Sequence, residues 1–428
     1  MTTIPKTQDE LYESAEASLP GAGLGGYALP EDLRFIVKEG RGGRLISVED
    51  KEYIDYNCGA GATIIGHDHP EVVEAVQARV GKGMHFFGTL NDAAVELAEV
   101  MVDAIPCAEQ MIYTTTGSEA SAYAFRIARA VTGRDKVLKF EGAYHGNHDY
   151  ASFGQFPTGP SNYPLATSDI GGVPRALQDT MLMAPYNDLE MVESILTEQG
   201  KDIAAIIVEP IQRIIFPKPG FLQGLLDLAT KHGVVLIFDE VVTGFRLAYG
   251  GAQEYFGVTP DLATYGKIVG GGGPVGAVAG KRELIDACNP GRKGRSDYAY
   301  INGTLHGNPI ACTAGLATLN VLSQPDFYKN FHARADKFRA AFQSILDAKG
   351  TGIMVPGEAS FWQFLATEHA PSNQMDVLAL DLDKSKNLDL ALLANGIYVL
   401  PNVRRFFSAA HGDEELEITL AALERVLK

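Results

Sequence analysis

Between about residues 110 and 280 the chain alternates short, almost wholly apolar runs with amphipathic stretches, and this alternation constrains the fold more than any other feature. The runs at 137–140, 203–209 and 234–239 are bounded by polar or glycine-containing joints. A strand apolar on both sides has both faces covered, as in parallel sheets whose crossovers are helices. An α/β fold follows, with a mostly parallel sheet and helices on both faces. Upstream, the alternating pattern of 43–56 around Glu49, Asp50 and Lys51 predicts a hairpin, and helical periodicity marks 70–82 and 93–104. Beyond about Leu316 the pattern changes to a long helix at 324–350, strands near 360–366 and 397–400, and a closing amphipathic helix at 413–428. These read as a small α+β lobe. The expected division is 1–60 as an N-terminal segment contributing to the small domain, 61–316 as the large domain, and 317–428 as the C-terminal small domain.

Composition narrows the partners. A net charge of -17 disfavours nucleic acid and anionic membranes, because the general field repels both. No apolar stretch is long enough to cross a bilayer, and residues 1–30 lack a basic start and an apolar core segment, so no secretion signal is expected. Cys58, Cys107, Cys288 and Cys312 form no paired spacing; reduced thiols, a cytoplasmic location and no metal site are expected.

Chemistry-bearing residues collect at strand ends. The run 234–239 closes on Asp239 and Glu240, and 203–209 closes on Glu209; open α/β sheets bind ligands beyond the carboxyl ends of their strands. Lys267 lies in the glycine-rich stretch 263–280. An amine in apolar surroundings is pushed toward its neutral form, the form that makes an imine with an aldehyde cofactor. Thr116, Gly117 and Ser118 precede a helix with Ala124, Ile127, Ala128 and Val131 on one side. The Ser118 hydroxyl and the amides there would suit a phosphate or simply cap the helix, since both uses need the same donors. Tyr144 follows a strand and a glycine turn, where a flat ring could stack on a flat cofactor. His145, with no paired carboxylate at a sensible spacing, is assigned to the wall of the site. Gly303 and Thr304 precede another helix and make a second candidate phosphate donor.

In this order, these segments resemble the class III pyridoxal-phosphate-dependent aminotransferases, most closely the glutamate-1-semialdehyde aminomutase-like branch. The resemblance runs from about Leu19 to the C-terminus through LPGAG, YIDYNCGAGATIIGHDHPEVVEAV, TGSEA, FEGAYHGNHD, DEVVTGFR, YGKIVGGGGPVGAVAG, GTLHGNPIACTAG and FFSAAH. It implies the aspartate-aminotransferase-like fold, fold type I, with a mostly parallel seven-stranded sheet and a small domain built from both chain ends. It also implies pyridoxal 5'-phosphate as cofactor. Lys267 matches the lysine that holds it as a Schiff base and then shuttles a proton, and Asp239 matches the carboxylate that keeps the pyridine nitrogen protonated. Val241 and Tyr144 should cover the two ring faces, with Glu209 and His145 also lining the cofactor site. Gly117 and Ser118 match the phosphate cup. Thr304 matches a threonine that reaches the phosphate from the neighbouring subunit, which implies a homodimer with shared active sites.

Two departures shape the expected activity. Residues 23–32 read GLGGYALPED, where the aminomutase pattern carries an arginine for the substrate carboxylate. Arg404 and Arg405 stand beside the expected site entrance; they either hold that carboxylate bidentately or face solvent or local acids such as Glu414. The leading expectation is a ping-pong transaminase, moving an amino group from an amino acid or amine to a keto acid or aldehyde through pyridoxamine phosphate. The alternative is an intramolecular aminomutase. The Gly-, Pro- and Ser-rich stretch 150–173 reads as a lid or as a disordered surface insertion, with Phe153, Phe156 and Tyr163 as possible pocket aromatics.

Overall fold

The computed structural model describes residues 6–428. They form two compact units: one comprises the chain up to His69 with Phe331–Glu368 and Asp381–Lys428, the other Pro70–Asn330 with His369–Leu380.

The second unit is built on a seven-stranded sheet in the order Gln110–Thr114, Gly276–Gly280, Leu262–Tyr265, Val235–Asp239, Ile203–Val208, Lys136–Phe140, Met181–Ala184. Gly276–Gly280 runs antiparallel to both neighbours; all other pairs are parallel. Ile203–Val208 and Val235–Asp239 are buried at every residue, as their apolar runs, broken only by the terminal Asp239, require. The helix Gly117–Thr132 buries Ala120, Ala124, Phe125, Ile127 and Ala128, so three of the four residues expected on its apolar face face the core and only Val131 turns outward. Gly133 ends it in the left-handed conformation (φ 67°), the usual helix stop.

The first unit joins the two ends of the chain. Val37–Arg41, Arg44–Ser47 and Glu52–Asp55 form an antiparallel meander, and Ile397–Tyr398 adds in parallel to Glu52–Asp55. Gly357–Glu358, Phe361–Trp362 and Arg405–Phe406 make a small second sheet. An aromatic core holds them: Trp362 stacks on Phe407 with centroids 5.3 Å apart, and Tyr56 meets Trp362 edge-on at 5.1 Å.

The boundaries differ from those expected at 60/61 and 316/317. Residues 61–69 stay with the first unit, where His67 Nε2 meets Asp55 Oδ2 at 2.8 Å and the Ala409 amide donates to Ile64 O. Residues 317–330 stay with the second unit, because the helix Pro309–Leu322 packs on Pro70–Val80 and Asp92–Ala104. The segment His369–Leu380 also returns there; Asn187 Nδ2 donates to Ser372 O at 2.9 Å.

Candidate active site

The candidate site lies in the second unit at the carboxyl ends of Val235–Asp239, Leu262–Tyr265 and Ile203–Val208. Asp239 is the last residue of its strand and only 5% exposed. Its Oδ1 accepts from the Val241 amide and the Thr264 hydroxyl, both at 3.1 Å, and His145 Nδ1 lies 2.7 Å from Oδ2. A carboxylate offers about four lone-pair sites. Three donors therefore fix its plane and leave capacity for one more.

The His145 contact corrects the sequence reading. This histidine is not a bare wall: its partner is Asp239, 94 positions away, a pairing that only the sheet creates. The Ser121 hydroxyl donates to His145 O and faces His148 Nε2 at 3.1 Å. Burial pushes the His148 imidazole down to about 4, so it stays neutral at ordinary pH.

Lys267 follows the strand Leu262–Tyr265 and Gly266. It is half-buried and adopts a φ of 53°, in the left-handed region. Thr264, paired in register with Asp239, is three residues before it, so lysine and carboxylate leave adjacent strands at the same edge.

The backbone between these groups is bare by necessity. A Cβ on Gly117 would stand 2.8 Å from Val241 Cγ1, and one on Gly146 would stand 2.6 Å from the Ser118 Cα. Thr116, not Ser118, caps the helix Gly117–Thr132, accepting from the Glu119 amide at 3.1 Å. Ser118 Oγ accepts from the Asn147 amide at 2.9 Å. The amides of Gly117 and Ser118, in the first turn, have no intrahelical acceptor and suit an anion. Glu209 Oε1 accepts the Tyr144 amide at 2.8 Å. Thr304 is exposed in a turn, and the helix after it is capped by Asn308 rather than by Gly303 and Thr304.

Sequence reasoning missed two groups here. Lys139 is fully buried, its ammonium donating to the carbonyls of Ala143 (3.3 Å), Ala151 (2.9 Å) and Phe153 (2.6 Å). It thus stitches the loop that carries Tyr144 and His145. Arg213 is the other, with its Cζ 5.2 Å from the Tyr144 ring centroid.

The stretch 150–173 is not a disordered insertion. Phe153 and Ala166 belong to the core of the unit, and Tyr163 OH donates to Glu141 at 2.6 Å. Only Phe156 of the three aromatics is exposed.

The two C-terminal arginines behave differently from the expectation. Arg405 is 1% exposed and ion-paired with the fully buried Asp389, so its charge is taken up inside the first unit rather than held for a substrate. Arg404 sets its guanidinium over the Phe361 and Phe406 rings, at 5.2 and 5.4 Å. Glu414, the acid expected to take one of them, pairs with Arg44 at 2.8 Å.

This sheet order with one antiparallel strand, and a lysine and a carboxylate at its edge, defines the fold-type-I class of pyridoxal-phosphate enzymes. The family model for aminotransferase class-III matches residues 27–426. The chain belongs to the class III aminotransferases, enzymes of pyridoxal-phosphate-dependent amino-group transfer. It is 38% identical over 424 residues to a glutamate-1-semialdehyde 2,1-aminomutase of Methanothermobacter thermautotrophicus, covering 98% of each chain. A protein of the same description from Desulforamulus reducens is 39% identical, over 97% of this chain and 96% of its own. Among solved structures, an omega-transaminase from Sphaerobacter thermophilus superposes with a TM-score of 0.92 at 30% identity, covering 98% of this chain and 97% of that one.

Proposed function

We propose that this chain is a two-substrate transaminase whose cofactor is held by Lys267 and Asp239. The observation that carries the reading is their departure from adjacent strands of one sheet edge, above backbone too crowded for a Cβ at Gly117 and Gly146. Bound pyridoxal phosphate supplies an aldehyde and an electron-accepting ring. Gly117 and Ser118 would hold its phosphate, Val241 and Tyr144 would flank its ring, and Asp239 would keep a proton at the ring nitrogen. His145, Thr264 and the Val241 amide keep that carboxylate oriented. Glu209 fixes Tyr144 through its amide. Lys267, half-buried at the sheet edge, would hold the cofactor through its Nζ and would carry a proton at that atom.

A homodimer in which Thr304 of each chain completes the other's phosphate site belongs to this reading. Its support is an apolar surface around Thr304. Leu90, Tyr300 and Leu305 are exposed there, beside a cleft of about 1310 Å³ lined by Ala94, Val95 and Ile301. Four cysteines without a disulfide agree with a reducing, cytoplasmic location.

The absence of arginine from 23–32 favours transamination, and so does the likeness to an omega-transaminase. The aminomutase reading is favoured by two relatives of that description at 38% and 39% identity. Mixing purified protein with an amine donor, with and without pyruvate or 2-oxoglutarate, separates the two. Donor consumption that needs the acceptor supports the transaminase; isomerisation of glutamate-1-semialdehyde without any acceptor sinks it.

A further inference from the structure

Ser121 faces the core from a small, apolar side of the helix Gly117–Thr132, where Ala120, Ala124 and Ala128 are buried with it. Alanine would suit a helix better and would bury no polar atom, so the hydroxyl is what needs explaining. Its single proton has four neighbours: the carbonyls of Gly117 (3.2 Å), Ser118 (3.1 Å) and His145, and His148 Nε2 at 3.1 Å. The first two are carbonyls of its own helix, which accept from amides four residues further on. The proton therefore goes to His145 O, and the Ser121 oxygen accepts from His148 Nε2.

The helix thus grips the residue that holds Asp239. His145 Nδ1 lies 2.7 Å from Asp239 Oδ2, whereas its Nε2 is buried with no hydrogen-bond partner among the described residues. An imidazole tied at one nitrogen can still swing about that contact, so its backbone has to set its pose. Lys139 does not supply this, because its acceptors at Ala143, Ala151 and Phe153 lie to either side of residues 144–150. Inside that stretch the two serines act as a pair. Ser121 takes the carbonyl of His145, and Ser118 Oγ accepts from the Asn147 amide at 2.9 Å, so both neighbours of Gly146 are fastened to one helix.

We propose that Ser121 is a positioning residue that acts through His145 on Asp239. One helix then sets both ends of the bound cofactor: its first amides face the phosphate, and Ser121 fixes the carboxylate at the ring nitrogen. The inference rests on the reading of the site given above. Its test compares wild-type holoenzyme with S121A, H145Q and the double variant.

In S121A kcat should fall by roughly 3- to 10-fold, the range for one neutral hydrogen bond, with KM for donor and acceptor unchanged. The pH midpoint of the bound cofactor's absorbance should move upward, because a ring nitrogen that keeps its proton less firmly draws less charge from the Lys267 nitrogen. A serine that only packs the helix would lower the melting temperature and leave that midpoint in place. The double variant should show the kcat and midpoint of H145Q alone, since both substitutions break the same chain of contacts. An unmoved midpoint in S121A overturns the inference, as do losses that multiply in the double variant. Should S121A not fold, S121C takes its place, with a thiol of similar size and weaker donor power, and an unmoved midpoint there is equally fatal. Borohydride reduction and peptide mapping keep the two levels apart. Pyridoxyl label on Lys267 with an unmoved midpoint removes only the role of Ser121, whereas label absent from Lys267 removes the reading of the site as well.

Discussion

Lys139 and Lys267 both belong to the seven-stranded sheet, the first inside the strand Lys136–Phe140 and the second just past Leu262–Tyr265, and both are drawn away from water. All three donors of Lys139 are taken by carbonyls of the loop from Ala143 to Phe153. Lys267 instead stands after an extended glycine, in a left-handed conformation, at the edge where Asp239 also ends. Burial alone therefore does not make a reactive lysine. A saturated ammonium inside a strand is a strut, whereas Lys267, delivered to the sheet edge where Asp239 also ends, is the lysine proposed as the reagent.

The sharpest way to break this contrast is to exchange the roles. Lys267→Ala should lower transamination by on the order of 10²- to 10⁴-fold, the range for a positioned proton-transfer group, while the melting temperature stays near wild type; turnover assays and calorimetry read both. Should Lys267→Ala keep wild-type turnover, the assignment of the reagent is wrong. Lys139→Met should do the reverse, destabilising the fold by about 2–4 kcal/mol because three buried carbonyls lose their donor, while borohydride still labels Lys267. A melting temperature equal to wild type would mean that the strut carries no load.

Burial also sets how pH reaches Lys139. Burial pushes the Lys139 ammonium down to about 7 from an ordinary value of 10.5. The folded chain thus gives up this proton first, and between those pH values the unfolded chain binds more protons. Stability contributed by this group rises with pH across that window. Denaturant titrations from pH 6.5 to 10 should show the rise in wild type and a flatter profile in Lys139→Met. The smallest effect belongs to the partner of the reagent's carboxylate: His145→Gln should cost roughly tenfold in kcat, the worth of one hydrogen bond to a charged group, with little change in KM. A loss confined to stability would make His145 structural.

Much of this was legible in the chain itself. The fully buried strands Ile203–Val208 and Val235–Asp239 were readable because a strand covered on both faces must be apolar throughout, and the hairpin around Asp50 because its alternation is local. Lys267, Asp239 and Gly117 could be proposed because their neighbours in sequence announce them, whereas the close approach of Gly146 to Ser118 shows only in the fold. The partners of His145, Arg405 and Lys139 could not be proposed that way. Each pairs with groups whose approach depends on strand order or loop path: Asp239 lies 94 positions from His145, and Asp389 reaches Arg405 only inside the packed first unit. The cap at Thr116 and the outward turn of Val131 were likewise decided by how the helix docks.

What the sequence by itself determined is the class of fold and the family, and it pointed to the two residues proposed for the centre of the site, because periodicity and motif chemistry are written over short stretches. Which arginine is spent on a buried acid and which lysine is a strut were decided only by the tertiary structure. A charge is defined by what surrounds it in space, and those surroundings are assembled from distant parts of the chain.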